Sequence, residues 1–204
     1  MANAAADSGT PTRRRAVHSN RMKLSIKRNA TIDDLETTPE GVNGQLIDGT
    51  LYMTTRPASP HAVAITAVIG ELRPAARDRK KGWVILFEPE LKLGDHVLIG
   101  DASGWRRERM PIIPDVKRFE LAPDWVCEGL SPSTARIDRG RKREIYAQAG
   151  VSHLWFVDPI HQTLEILALK RRAYEVVGSA GGNDRGRFPP FDTIDLDLSI
   201  FWQR

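Results

Sequence analysis

Three apolar residues followed at once by a carboxylate, Trp125-Val126-Cys127-Glu128, constrain this chain more than any other stretch. The run has the length and composition of a buried strand. Such a strand excludes an unpaired Glu, because a buried ionised carboxylate must be neutralised, paired with a cation or bound to a metal. The chain therefore has to bring something to Glu128, and the downstream sequence shows where to look. Gly129-Leu130-Ser131-Pro132-Ser133-Thr134 reads as a loop. Residues 138–149 then carry a helical stripe that stops at Gly150. Leu154-Trp155-Phe156-Val157 supplies a further core strand, closed by the turn Asp158-Pro159.

Upstream the pattern alternates in the same way. Thr31 caps a short helix with Asp33 and Asp34 in its first turn, where the helix dipole favours acids. Residues 45–53 read as a hairpin around Asp48-Gly49. From Pro60 to Arg77 the residues Ile65, Val68, Ile69 and Leu72 recur at helical spacing, with His61 one turn ahead on the same face and Pro74 near the end. Residues 83–87 and 97–99 are continuously apolar and read as buried strands. Pro111, Pro114 and Pro123 mark residues 104–123 as an irregular, exposed excursion. Residues 163–169 and 173–178 form a hairpin around the tip Lys170-Arg171-Arg172, and residues 194–202 a last strand or short helix. The expected class is α/β: a mixed sheet between helices, in the order helix, three strands, helix, strand, with peripheral hairpins.

With 204 residues, 41% of them hydrophobic, the chain can bury one proper core. We expect a single domain over residues 26–204 behind a basic, disordered leader over residues 1–25 that lacks a sustained apolar period. No apolar run approaches the roughly 18 residues of a membrane span, and the single cysteine, Cys127, excludes an intramolecular disulfide. A soluble, cytoplasmic protein is expected. The formal charge of +4 permits nucleic-acid binding without requiring it. Basic residues cluster at 13–15, 106–109, 136–143 and 170–172, where solvated faces compete with phosphate-tracking surfaces as explanations.

Three residues can meet. Counting by two, Asp101 shares a face with Val97 and Ile99, and Glu128 with Val126. Lys142 shares a helix stripe with Ile145, Tyr146 and Ala149, so its ammonium emerges on the side packed against the sheet. Two carboxylates and a lysine on inward faces suit phosphodiester cleavage: the acids fix a divalent cation, and the ammonium sits near the attacking oxygen. Each residue also has an ordinary reading. Asp101 can open a turn, Glu128 and Lys142 can form a structural ion pair, and Lys142 can snorkel to solvent. Asp124, four residues before Glu128, competes for the role of Asp101. Cys127, His153, Ser131 and Ser133 read as core, structural or capping residues.

The blocks Pro123 to Thr134, Asp138-Arg139-Gly140-Arg141-Lys142, Tyr146-Ala147, Gly150-Val151 and His153 to Pro159 resemble the signature of the Uma-type restriction endonucleases, within the PD-(D/E)XK nuclease superfamily. Residues 104–111, Glu88 to Leu91, His61 and Ile47-Asp48-Gly49 extend the resemblance, which covers roughly residues 31–202. It implies a restriction-endonuclease-like core, magnesium- or manganese-dependent hydrolysis of DNA and a homodimer. Asp101 and Glu128 match the metal-binding acids, Gly129 would add a backbone carbonyl, and Lys142 replaces the superfamily lysine whose place Leu130 takes. The chain departs from the pattern at Gly100, where proline is expected, at Gly129, where valine is usual, and at Gln45, where the family has a glutamate. Glu88 or Glu71 can replace that glutamate, and His61 is a further accessory candidate. The rival reading is a nucleic-acid-binding module that keeps the fold but has lost catalysis.

Overall fold

The computed structural model describes residues 24–55, 57–78 and 80–203. The expected leader lies largely outside these residues. Its last positions do not, because strand β1 (Leu24–Arg28) starts at Leu24. Helix α1 (Ile32–Glu36) follows, and the Asp34 carboxylate accepts the Thr31 backbone N–H at 2.9 Å, as in a capping box. Strands β2 (Asn43–Ile47) and β3 (Thr50–Thr54) form the Asp-Gly hairpin. Its two turn residues have positive φ, 49° at Asp48 and 66° at Gly49, which is what a two-residue turn matched to strand twist requires.

Helix α2 (Ser59–Glu71) stops short of Pro74, which sits in a 3-10 turn over Arg73–Ala76. Strands β4 (Trp83–Phe87), β5 (Glu90–Leu93), β6 (His96–Ile99), β7 (Ala102–Arg106), β8 (Arg118–Phe119) and β9 (Trp125–Gly129) come next. The helical segment after β9 is continuous but uneven: α3 (Ala135–Ile137), a π-helical turn (Asp138–Lys142) and α4 (Arg143–Gln148). It begins three residues earlier than the sequence pattern indicates. Strands β10 (His153–Asp158), β11 (Thr163–Lys170) and β12 (Ala173–Gly181) follow, then the short ladder β13 (Arg185–Gly186) with β14 (Leu196–Asp197) and a 3-10 turn over Leu198–Trp202.

Among the described residues the long strands divide between two six-stranded sheets. One has the order β1-β3-β2-β6-β5-β8 and the other β12-β11-β10-β9-β7-β4. Within the second sheet only β9 and β10 run parallel, a pairing that needs a crossover, which the intervening helical segment supplies. All five residues of β9 are buried, so the strand is covered on both faces. Trp125 and Cys127 pack with Ala64, Ile65 and Val68 of α2 and with Leu198 and Phe201. Val126 packs on the other side with Leu98, Trp105, Ile145 and Tyr146. Each buried Val, Leu, Ile or Phe among them contributes roughly 1.5–3 kcal/mol by leaving water.

The expected exposed excursion over residues 104–123 is corrected at its start. Gly104 and Trp105 belong to β7 and are buried. A Cβ on Gly104 would lie 3.1 Å from the rings of both Trp83 and Trp125, so glycine there lets two tryptophans flank the strand closely. Residues 111–117 do run over the surface, with Ile112 82% exposed, but Met110 and Pro123 are buried and Arg118–Phe119 forms β8. No helix among the described residues is long and apolar enough to cross a membrane.

Candidate active site

Strand register delivers the two acids. β7 runs antiparallel to β9 with Ala102 opposite Cys127, so Asp101, one residue before Ala102, falls beside Glu128, one residue after Cys127. Asp101 is not the last residue of a core-facing row, as alternation along β6 suggests. It lies in the bend between β6 and β7, after Gly100 has ended the strand. Glycine at 100 has a local cause, because a Cβ there would sit 2.8 Å from Ser103 Oγ and 3.1 Å from Val126 Cγ1.

The helix after β9 supplies the cation. Lys142 is only 2% exposed and lies on the side packed against the sheet, as its helix stripe indicates, so it does not snorkel to solvent. Its Nζ lies 2.8 Å from each Glu128 carboxylate oxygen, 3.0 Å from the Ile99 carbonyl and 3.3 Å from Asp138 Oδ1. An ammonium has three protons, and these three groups engage them. Tyr146 donates its hydroxyl to Glu128 Oε1 at 2.6 Å. Asp101 Oδ2 accepts the Gly129 N–H at 2.7 Å and stands 3.0 Å from His61 Nε2.

Burial raises the Glu128 carboxyl, and the neighbouring charges of Asp138 and Asp101 raise it further against the pull of Lys142. Burial raises Asp138 in the same way. For Lys142 burial acts downward, but Glu128, Asp138 and Asp101 together outweigh it and hold the ammonium protonated. His61 shows the same contest: burial lowers it, while the hydrogen bond to Asp101 and the charges of Asp101, Glu128 and Glu88 leave it raised overall.

The remaining candidates separate cleanly. His61, Glu88 and Gln45 all line the cavity of about 40 Å³ on which Asp101, Glu128, Gly129 and Lys142 converge. Gln45 accepts the Ile99 N–H through Oε1 at 2.9 Å, a bond that an ionised glutamate could also accept. Glu71 does not line that cavity. Asp124 lies at the far end of β9, where it meets Arg106 and Arg109. Cys127 is buried, which pushes its thiol well up, and Ser131 bonds Ser133 and Thr134 within the loop. Sequence reasoning missed Asp138, although it stands four residues before Lys142 as Tyr146 stands four after. The 138-142-146 spacing was the available signal.

The donors suit a small, hard cation. Asp101, Glu128 and Asp138 place three carboxyl groups around one ammonium and an imidazole, an oxygen-rich set of donors. Both protein contacts of Asp101 fall on Oδ2, and Oδ1 has no hydrogen-bond partner among the described residues. No three His, Cys, Asp or Glu side chains among the described residues form a ready-made cage. Magnesium binds with one or two carboxylates and keeps several waters, so a two-acid site fits it.

A mixed sheet packed between helices, with a strand-helix-strand unit at its centre, defines a restriction-endonuclease-like α/β domain. Comparison with solved structures agrees. A crystal structure described as "a putative nuclease belonging to DUF820 from Anabaena variabilis" is similar, with a TM-score of 0.68 at 20% identity, over 84% of this chain and 97% of that one. At that identity the likeness is one of fold. The chain belongs to the Uma2 family, described as "Putative restriction endonuclease", whose sequence profile matches residues 30–199. No curated protein matches.

Proposed function

We propose that the protein is a magnesium-dependent DNA endonuclease in which Asp101 and Glu128 hold the metal, with the Gly129 carbonyl as a third protein donor. One observation carries this reading: two acids from adjacent strands and a buried lysine from the crossover helix meet on one small polar cavity. When bound, a divalent ion supplies positive charge to the oxygens of the scissile phosphate and makes water easier to deprotonate. Lys142 orients Glu128 through the contact to both its oxygens, and Tyr146 fixes the same carboxylate from the side. The longest Lys142 contact, 3.3 Å to Asp138, is the one a phosphate oxygen or attacking water would replace. Exposed arginines and lysines would hold the DNA backbone at a salt-dependent cost. A homodimer would present one such site to each strand of a duplex.

The test is nicking of supercoiled plasmid with and without magnesium or manganese. Glu128→Gln keeps the shape and removes the charge, and it is expected to lower the rate at least about a hundredfold, the scale of losing one electrostatic contact to the transition state. The rival, a silent binding module, draws on a specific observation, since all three Lys142 protons already have protein partners. It predicts DNA binding that is unchanged by Glu128→Gln and no metal-dependent cleavage by the parent protein.

A further inference from the structure

We infer that His61 is a positioning residue for Asp101, and that Gly129 is the residue that makes room for it. The inference rests on the reading of Asp101 as a metal-holding carboxylate.

His61 enters from the first turn of α2 and is 7% exposed, on the face it shares with buried Ile65. Its Nε2 and the Gly129 N–H both address Asp101 Oδ2, at 3.0 and 2.7 Å. With Nε2 carrying the ring proton, His61 donates to the same oxygen that accepts the Gly129 N–H. Two donors on one oxygen set the rotation of the carboxylate and thereby where Oδ1 stands. The other ring nitrogen, Nδ1, is buried without a partner among the described residues. The hydrogen bonding of the ring is thus directed to Asp101, with no second group that it ties down.

The space around Gly129 supplies an independent observation. A Cβ on Gly129 would lie 2.6 Å from His61 Nε2 and 2.8 Å from its Cδ2. Those atoms form the tip of the ring, the end that meets Asp101. A side chain at 129 would therefore push the imidazole off the aspartate before it disturbed the strand. The ring also has somewhere to go. His61 is the shared wall between the polar cavity and an apolar groove of about 530 Å³ bounded by Pro60, Leu130, Pro132 and Pro159.

The experiment is calorimetric titration of manganese into the full chain without DNA, alongside thermal melting. The parent should bind and Asp101→Asn should not. His61→Ala should weaken binding by roughly 10–100-fold, the usual range for a residue that orients a ligand. His61→Gln, which keeps a donor at similar reach, should recover most of the loss. Gly129→Ala should weaken binding as His61→Ala does while melting close to the parent. The double variant should bind no more weakly than His61→Ala alone, because the two act through one contact. Loss in Asp101→Asn with parent-like binding by His61→Ala overturns the inference alone. Equal binding by the parent and Asp101→Asn overturns the reading of Asp101 and the inference with it. If His61→Ala does not fold, Gly129→Ala and His61→Gln decide: weakened and near-parent binding respectively support the inference, and parent-like Gly129→Ala overturns it.

Discussion

Asp124, just before the buried strand β9, and Glu128, near its other end, are four residues apart, yet they do opposite things with their charge. Asp124 is closed locally. Its Oδ2 accepts the Arg106 N–H at 2.8 Å, and its Oδ1 meets the Arg109 guanidinium, also at 2.8 Å, on a side chain that is partly exposed. Glu128 is 2% exposed and shares Lys142 with Asp138, beside Asp101. Two buried acids, Glu128 and Asp138, around one buried ammonium cost stability rather than supply it, because each desolvated charge is penalised and the acids repel one another. A fold selected only to stand up would have used the Asp124 solution at both ends. The difference is what the proposed role of Glu128 in catalysis accounts for.

The largest effect should come from breaking the Glu128 end. Lys142→Ala leaves Glu128 and Asp138 buried without their cation, and we expect a loss of about 3–5 kcal/mol in urea unfolding together with loss of plasmid nicking. Lys142→Met restores packing and should regain part of that stability but none of the cleavage. Normal nicking by a folded Lys142→Met would end the claim that this charge serves the reaction. At the other end, Asp124→Asn keeps an acceptor for Arg106 and gives up an ion pair to a partly exposed arginine. Its expected cost is about 1 kcal/mol, with nicking unchanged. Were Asp124→Asn to abolish nicking, the contrast between the two ends would be lost.

Much of this placement is legible in the sequence. Glu128 betrayed itself by following three apolar residues, and Lys142 by its stripe with Ile145 and Tyr146, because burial leaves a periodic trace. Asp101 was legible as a residue but not as a position, since alternation along β6 assigned it to a strand it does not extend. β7 was hidden for a related reason. Ala102, Ser103 and Gly104 have little hydrophobic signal, and the strand is buried because Trp83 and Trp125 close over it. The division into two sheets depends on how elements pack, which sequence spacing alone does not report, whereas Asp138 is reported by its i, i+4 spacing from Lys142.

The smallest effect belongs to Arg141, next to Lys142 but facing outward, and it sharpens the comparison by testing whether the site depends on its outer support. Its guanidinium grips Asp48 at the β2–β3 turn through two bonds, 2.6 Å to Oδ2 and 2.8 Å to Oδ1. That contact holds the Asp48 carboxyl below its ordinary range, chiefly through the hydrogen bonds themselves. A lowered folded-state value means that the stabilisation is present above the unfolded carboxylate range and is lost as pH falls through the folded one. Arg141→Ala should therefore cost less than about 1 kcal/mol at neutral pH, less still in high salt and nothing in acid. The pair is half-exposed and touches none of the groups around Glu128, so nicking should persist. A large loss of nicking with normal stability would mean that the grip on Asp48 sets the placement of Lys142, and that the site is held from its surface rather than from its core.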